Sequence, residues 1–175
     1  MRTLDFLHIS LADQQLYGFT DGQLLLRVPV STALNGAGEL NGSGCTPLGL
    51  HQVRAKIGDG LPIGAVLRGR RWTGELYSAQ LQADFPLRDW ILTRILWLSG
   101  CEPGCNRGGA VDTFRRYIYL HGTPDTEPMG VALSHGCVRL RNDDLIRLFA
   151  RVPLHCRLMI DSPACPQWAA ADCAG

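Results

Sequence analysis

The sequence predicts a single domain that is mainly β, in the β-rich α+β class, with one helix that follows Cys137. Two strand-like runs flank the turn pair Asp21-Gly22. A long apolar, β-prone run from Trp90 to Ser99 ends at a glycine. The clearest helical spacing of apolar residues lies between Asn142 and Pro153. Strands therefore dominate the expected structure.

Length and composition support one folded unit. The chain has 175 residues, 46% of them hydrophobic and 19% charged, which is enough for a packed core. We expect the domain to span residues 1–161 and a loosely held tail to span 162–175. The formal net charge is +1, from 17 basic and 16 acidic residues, so nucleic acid is not expected as a partner.

The first third of the chain reads as β-structure. An Asp-Gly pair between two strand-like runs predicts a tight hairpin, because both central positions need positive φ. A surface loop rich in glycine and asparagine follows, and Pro47 and Gly49 then fix a bend. The predicted strands here are Leu4–Leu11, Gln15–Thr20, Gln23–Val30 and Leu50–Ile57.

The remaining elements alternate loops and strands before the helix. Residues 58–74 and 102–111 are predicted to be loops, and the predicted strands are Trp90–Ser99, Arg116–Leu120 and Cys156–Ile160. Asn142 is the expected N-cap of the helix, with Asp143 and Asp144 in the first turn, where the helix dipole favours negative charge. Pro153 ends it.

No membrane segment is evident in the sequence. Asp5 and His8 interrupt the apolar run that a secretory signal needs. No apolar run approaches the ~18 residues of a membrane span. We therefore expect a cytoplasmic protein without a membrane partner.

Seven cysteines are present, an odd number, so at least one is unpaired within the chain. Cys101 and Cys105 stand close together, but no second pair or histidine lies at ligand spacing. We expect neither a metal nor a cofactor. The sequence assigns no role to the cysteines other than Cys137, namely Cys45, Cys101, Cys105, Cys156, Cys165 and Cys173.

One stretch concentrates nucleophile, base and flexible backbone: Tyr117 to Asp144 holds Cys137, His121 and His135. A thiol attacks as thiolate and needs a neighbouring base or backbone donors. His135 lies two residues from the cysteine, and such residues point to opposite faces of an extended chain. His121, from a separate strand, is therefore the predicted base, with His135 left to positioning.

Backbone groups complete the predicted site. Gly136 would let amides approach an oxyanion, and the amide of Cys137 itself could donate. A carbonyl or hydroxyl near Gly122 or Thr123 is expected to orient His121. On these residues alone, a structural and a catalytic interpretation both remain open.

The motif resembles the catalytic signature of the L,D-transpeptidase (YkuD) family. His121-Gly122-Thr123 is followed, after a spacer, by Ser134-His135-Gly136-Cys137-Val138-Arg139-Leu140. Upstream, Thr46-Pro47-Leu48-Gly49 looks like that family's Thr-Pro-x-Gly element. The resemblance covers roughly Leu24 to Ile160 and is strong only in the last third.

The resemblance implies a fold, a chemistry and a set of roles. The fold would be packed, bent β-sheets with one helix beside the nucleophile. Cys137 would attack the carbonyl between diaminopimelate and the terminal D-alanine of a peptidoglycan tetrapeptide stem and form a thioester. His121 would be the base. The residues implied to shape the oxyanion site or orient the base are Ser134, His135, Gly136 and Gly122.

Substrate binding is assigned to Arg139 and Thr123, although Arg139 could equally be structural. Since an arginine can clamp a carboxylate with two parallel hydrogen bonds, Arg139 fits a substrate with free carboxylates. Carbapenems are expected to acylate Cys137.

The acceptor of the acyl group is the open question. We favour water, which makes the protein an L,D-carboxypeptidase that trims stems or muropeptides in cell-wall recycling, because a cytoplasmic enzyme meets only soluble stems. The alternative is transpeptidation, which forms 3-3 crosslinks or exchanges D-amino acids. A non-enzymatic muropeptide-binding module is a further alternative.

Overall fold

The computed structural model describes residues 2–162, which form one mixed β-sheet with two short helices. A 3₁₀ turn spans Gly109–Val111. The strands and helices are β1 (Phe6–Ser10), β2 (Gln15–Thr20), β3 (Gln23–Pro29), β4 (Gly49–Ile57), β5 (Ala65–Arg68), β6 (Arg71–Leu76), α1 (Ala79–Asp84), β7 (Ile91–Gly100), β8 (Tyr119–Gly122), β9 (Val138–Leu140), α2 (Asn142–Arg151) and β10 (Arg157–Asp161). The predicted β-rich class with a helix after Cys137 is confirmed.

The main path of the sheet runs in the order β3-β2-β1-β10-β4-β7-β5-β6. Strand β8 leaves this path and pairs with β7 on one side and with β9 on the other. The β1–β10 and β8–β9 pairs are parallel, and the other strand pairs are antiparallel. The short parallel β8–β9 pair carries the predicted site.

The first hairpin forms as the sequence predicts. Asp21 and Gly22 have φ values of 52° and 76°, so both central residues adopt the left-handed conformation that a tight turn between twisted strands requires. The turn places Phe19 opposite Leu24 and Leu16 opposite Val28.

Helix α2 holds the site strands against the core. Leu145, Leu148 and Phe149 are buried on its inner face. They share a buried cluster with side chains of β7, β8 and β9, namely Leu96, Leu98, Leu120, Val138 and Leu140. Because fully burying such a side chain stabilises a fold by roughly 1.5–3 kcal/mol, the strands that carry the site are firmly anchored.

The predicted loop over residues 58–74 is wrong in its second half, where β5 and β6 form a hairpin. Gly69 and Arg70 make its turn, with φ values of 55° and 65°. Strand β5 also pairs with β7, through Val66 opposite Leu92. Hydrogen bonds to β7, which is distant in sequence, stabilise β5, and the glycine-rich local sequence does not predict this strand. Helix α1, capped by the side chain of Ser78, follows and was not predicted.

Several predicted boundaries also differ, including those of the first strand, which spans Phe6–Ser10 rather than Leu4–Leu11. Strand β8 begins at Tyr119 rather than Arg116, because Tyr117 has a φ of 57° and breaks the extended backbone. The final strand lies one residue later than predicted, at Arg157–Asp161. Asn142 is the first residue of α2 and not its cap; Arg141 occupies the cap position without a side-chain hydrogen bond.

Residues 163–175 lie outside the described part of the chain, and with them Cys165, Cys173 and nearly all of the predicted tail. Within residues 2–162, no helix is long and apolar enough to cross a membrane.

Candidate active site

The parallel pairing of β8 and β9 brings the predicted nucleophile and base to one place. His121 lies opposite Arg139, and Leu120 lies opposite Val138. Cys137 immediately precedes β9 and therefore sits beside the residues that lead into β8. Fifteen residues, 123–137, separate the two strands in the sequence, so this meeting depends on the fold.

Backbone groups of two tyrosines hold the thiol of Cys137. The amide N–H of Tyr119 donates to Sγ at 3.4 Å, and the thiol donates to the carbonyl oxygen of Tyr117, also at 3.4 Å. The left-handed conformation of Tyr117 turns this carbonyl toward the sulfur. The partly exposed side chain of Cys137 packs against the buried cluster of Leu67, Ile95 and Tyr119.

Burial raises the pKa of the Cys137 thiol to about 12, and the amide of Tyr119 opposes part of that rise. The charge of Asp89 raises this pKa further, while Arg139 and Arg116 lower it. The thiol is therefore neutral at rest. It becomes a nucleophile only when a base removes its proton as the new bond forms.

His121 is buried and oriented by its neighbour in sequence. Its Nδ1 lies 2.8 Å from the carbonyl oxygen of Gly122. A carbonyl only accepts, so Nδ1 carries the hydrogen and Nε2 of the neutral ring keeps its lone pair. Burial lowers the pKa of His121, which keeps the ring neutral near pH 7. The ring is thus prepared to accept a proton at Nε2.

Gly122 is required by close packing. A Cβ there would overlap Oδ1 of Asn142 and the carbonyl oxygen of Leu92. Asn142 in turn donates from Nδ2 to the carbonyl oxygen of Thr123 at 2.9 Å and accepts from the hydroxyl of Thr93. Asn142 therefore supports the segment that orients His121.

The Ser134–Cys137 turn satisfies some of its own polar groups. The hydroxyl of Ser134 donates to the carbonyl oxygen of Cys137, and the amide of Gly136 donates to Ser134 Oγ at 3.2 Å. The Gly136 amide is consequently engaged, which leaves the amide of Cys137 as the candidate oxyanion donor in this turn. Gly136 has a φ of 131°, and a Cβ there would lie 3.3 Å from the carbonyl oxygen of Cys45.

Thr46 fixes the same turn from a distant part of the chain. Its hydroxyl donates to the carbonyl oxygen of Gly136 at 2.9 Å, and it accepts from the amide of Ala33 at 3.0 Å. Thr46 is fully buried. The sequence pointed to Thr46 only through the resemblance and gave it no role.

His135 is exposed, and no hydrogen bond of its side chain is found among the described residues. The structure brings His135 into the turn but shows no contact with Cys137 or His121 that would carry a positioning role.

Arg139 and Thr123, both predicted to bind substrate, line one small cavity of about 100 Å³. The guanidinium of Arg139 lies 3.4 Å from Asp89 and 3.7 Å from Glu127. It also donates to the carbonyl oxygen of Leu133 at 3.4 Å. The charge of Arg139 is thus already balanced by two carboxylates.

Arg116 is a supporting residue that sequence reasoning missed. It donates to the carbonyl oxygens of Gly38, Glu39 and Cys45 at 3.0, 2.8 and 2.6 Å and to Ser43 Oγ at 3.3 Å. It therefore holds the glycine-rich loop that leads into Thr46. Since every partner lies more than 70 residues away, no local spacing signals this role.

Among residues 2–162, no group of three or more His, Cys, Asp or Glu side chains could hold a metal ion. The cysteines described in this range are free thiols: Cys45, Cys101, Cys105, Cys137 and Cys156.

Comparison with known proteins gives one family. The model of the YkuD family, described as the L,D-transpeptidase catalytic domain, matches residues 5–160. Among curated proteins, the probable L,D-transpeptidase YbiS of Escherichia coli K12 is 47% identical over 49 residues. That match covers 27% of this chain and 16% of YbiS, so the chain aligns with only a small part of its relative.

Solved structures share the fold over most of this chain. L,D-transpeptidase 3 of Mycobacterium tuberculosis, in complex with a faropenem-derived adduct, has a TM-score of 0.54 at 14% identity and covers 90% of this chain and 60% of its own. The L,D-transpeptidase LdtMt1 in complex with imipenem has a TM-score of 0.54 at 17% identity, with 89% and 58% covered. At such identities the likeness establishes the fold.

Proposed function

Because the chain belongs to the YkuD family of L,D-transpeptidase catalytic domains, we propose that Cys137 is acylated by a peptidoglycan tetrapeptide stem at the bond between diaminopimelate and the terminal D-alanine. One observation carries this proposal. The hydrogen bond from His121 Nδ1 to Gly122 presents a neutral base on β8, the strand paired with β9, and the thiol of Cys137, which directly precedes β9, stays protonated until it reacts.

The first half of the reaction forms a thioester. Sγ of Cys137 attacks the carbonyl carbon while Nε2 of His121 takes the thiol proton. The amide of Cys137 donates to the oxyanion of the tetrahedral intermediate. When the intermediate collapses, the C–N bond breaks, and the imidazolium of His121 returns its proton to the departing amine of D-alanine.

Water is the acceptor we propose for the second half. His121 removes a proton from the water as it attacks the thioester, and the thiol leaves with that proton, so tripeptide and free enzyme result. This makes the protein an L,D-carboxypeptidase, and a cytoplasmic role in recycling cell-wall stems stays part of the same proposal.

An amine acceptor is the second candidate, and one observation favours it. An open groove of about 930 Å³ runs between the β5–β6 hairpin and the segment Phe85–Asp89. Leu67 lines this groove and also belongs to the cluster against which Cys137 packs. The groove has room for an acceptor stem, which would give a crosslink or an exchanged D-amino acid.

Covalent inhibition by carbapenems belongs to the same proposal. A strained β-lactam carbonyl presents Cys137 with an acyl group in place of the substrate amide. The family relationship and the imipenem and faropenem structures of similar proteins support it. Intact-mass spectrometry is expected to show one adduct on the wild type and none on Cys137→Ala.

The deciding experiment incubates the protein with a sugar-free tetrapeptide stem, with and without excess D-methionine, beside Cys137→Ala. Tripeptide as the main product under both conditions supports hydrolysis. A D-methionine-tailed product replaces water with an amine as the acceptor. Binding without turnover by the wild type overturns the enzymatic proposal in favour of a muropeptide-binding module.

A further inference from the structure

A third arginine, besides Arg139 and Arg116, contacts the residues that hold the nucleophile, and unlike Arg139 it has no carboxylate partner among the described residues. Arg70 occupies the turn between β5 and β6, and its guanidinium carbon lies 4.8 Å from the ring centre of Trp97 and 5.0 Å from that of Tyr117. One of its nitrogens donates to the hydroxyl of Tyr119 at 3.4 Å. Among the described residues, no carboxylate pairs with Arg70.

The partners of Arg70 are the residues that hold the thiol. Tyr117 and Tyr119 contact Sγ of Cys137 through their backbone and contact Arg70 through their side chains. The guanidinium and the sulfur are therefore both in contact with the same two residues. Tyr117 is 52% exposed and Arg70 is partly exposed, so solutes can reach this position.

The aromatic faces fix the guanidinium while leaving most of its donors unused. An arginine has five N–H groups in a planar fork, and stacking on aromatic rings engages its face rather than those groups. A fork held in place loses less conformational entropy when it binds an anion. Its geometry matches a carboxylate, which can accept two parallel hydrogen bonds.

We propose that Arg70, held by Trp97, Tyr117 and Tyr119, binds a free carboxylate of the stem peptide beside Cys137. The inference rests on the proposed function for the identity of the peptide. Carboxylate recognition is thereby assigned to Arg70 instead of Arg139, because Asp89 and Glu127 already balance the charge of Arg139. The stem offers two such groups near the scissile bond: the terminal carboxylate of the departing residue and the side-chain carboxylate of diaminopimelate.

Three peptides distinguish these sources: the free tetrapeptide, its C-terminal amide and its diaminopimelate amide. We expect Arg70→Gln to lower kcat/KM for the free tetrapeptide by about tenfold to a hundredfold, mainly through KM. The variant should leave the rate unchanged for whichever amide lacks the recognised carboxylate. Arg70→Lys keeps the charge but not the planar fork of donors, so its kcat/KM for the free tetrapeptide should lie between those of wild type and Arg70→Gln. An equal loss on all three peptides would mean a structural role and would overturn the proposal.

Alkylation of Cys137 tests the same site without the peptide. Iodoacetate carries a carboxylate and iodoacetamide does not, so the ratio of their rates at Cys137, measured by peptide mapping, reports a nearby cation. We expect Arg70→Gln to lower this ratio by about threefold. Arg71→Gln, which removes an equal charge from the next, exposed residue, should leave it unchanged.

The two readouts separate the two proposals. If wild type turns over no stem peptide but the iodoacetate ratio still falls in Arg70→Gln alone, the carboxylate site stands and the proposed substrate fails. If peptides are turned over and neither readout responds to Arg70→Gln, the carboxylate site fails and the proposed function stands.

Discussion

The hydroxyl of Thr93 donates to Oδ1 of Asn142, although Thr93 holds a backbone φ of 70° that is rare for a β-branched residue. Thr93 is fully buried in β7, where the pairing with β8 shifts register. Its hydroxyl also accepts from the amide of Gly64 at 3.0 Å. The strained residue is thus kept in place by the polar contacts that support Asn142 and, through it, the Gly122–Thr123 segment.

Two substitutions separate the hydroxyl of Thr93 from its shape. Thr93→Val keeps the shape of the side chain but leaves Oδ1 of Asn142 and the amide of Gly64 without their hydrogen bonds to the hydroxyl. It should lower the free energy of unfolding by about 2 kcal/mol. Thr93→Ser keeps the hydroxyl and removes one buried methyl group, so it should lower the free energy of unfolding by only about 1 kcal/mol. Urea unfolding measures both. A loss in Thr93→Ser with none in Thr93→Val would show that the side-chain volume, and not the hydrogen bond, matters.

The pH dependence of thiol reactivity follows from the raised pKa of Cys137. Because burial raises that pKa to about 12, the thiolate fraction should keep growing through the whole accessible alkaline range. We expect the iodoacetamide rate at Cys137 to rise tenfold per pH unit from pH 7 to 10 without levelling. An unstructured peptide with one cysteine, the control, should level near the ordinary cysteine pKa of about 8.5. A plateau at Cys137 below pH 8 would instead indicate a resting thiolate–imidazolium pair.

Catalysis should tolerate mild acid, because His121 must be neutral to act as the base and its lowered pKa keeps it neutral there. Burial lowers the pKa of His121, so protonation of the ring and loss of kcat/KM should begin below pH 6.5. His121→Gln should reduce kcat by about a thousandfold while leaving peptide binding largely intact. An acid limb centred above pH 7 would contradict the neutral buried base.

The sequence was most informative where structure depends on neighbours in the chain. Asp21-Gly22 predicted its hairpin because the turn conformation is local. The motif with His121 and Cys137 could be recognised because both residues lie in one short stretch, and their catalytic roles stay a prediction. The family signature also marked Arg139 and Thr123, which the fold places around one cavity.

The remaining features depend on partners distant in the chain. Asn142 was predicted to be a helix cap because asparagine is a common capping residue. The sequence does not show that its side-chain amide instead makes buried hydrogen bonds to Thr123 and Thr93. Arg116, Thr46 and Arg70 each make a hydrogen bond to a residue 49 to 90 positions away, which no spacing reveals. Strand β5 was missed partly for the same reason, since it pairs with the distant β7 as well as with the adjacent β6.

Arg116 offers a test of how far loop support matters to the site. Arg116→Met removes all the hydrogen bonds to the loop that leads into Thr46 and should lower the free energy of unfolding by about 2–3 kcal/mol. Arg116→Lys cannot reach all the acceptors, so its free energy of unfolding should lie between those of Arg116→Met and wild type. Exposed Arg115→Met is the matched control, since its charge sits on the neighbouring residue. A loss equal to that of the control would show that the loop is held without Arg116.

His51 should make the fold acid-sensitive. It is fully buried, with Nδ1 2.9 Å from the carbonyl oxygen of Gly49 and Nε2 3.0 Å from the hydroxyl of Thr113. Nδ1 must donate to the carbonyl. The hydroxyl of Thr113 also lies 3.0 Å from the carbonyl oxygen of Asn106, so its single hydrogen has two acceptors in reach. The amide of Thr113 donates to that same carbonyl oxygen, which leaves the hydroxyl hydrogen for Nε2 of a neutral ring.

Burial lowers the pKa of His51 to about 4, below its ordinary value of 6.5. A depressed folded-state pKa contributes stability that is present above pH 6.5 and is lost as the pH falls toward 4. We expect urea unfolding to show a loss of about 2–3 kcal/mol over that window from this residue. His51→Gln can still donate to Gly49 but cannot titrate, so its stability should fall less between pH 7 and 4.5, even if it starts lower. The same pH dependence in both proteins would place the acid sensitivity elsewhere, with His121 as the next residue to test.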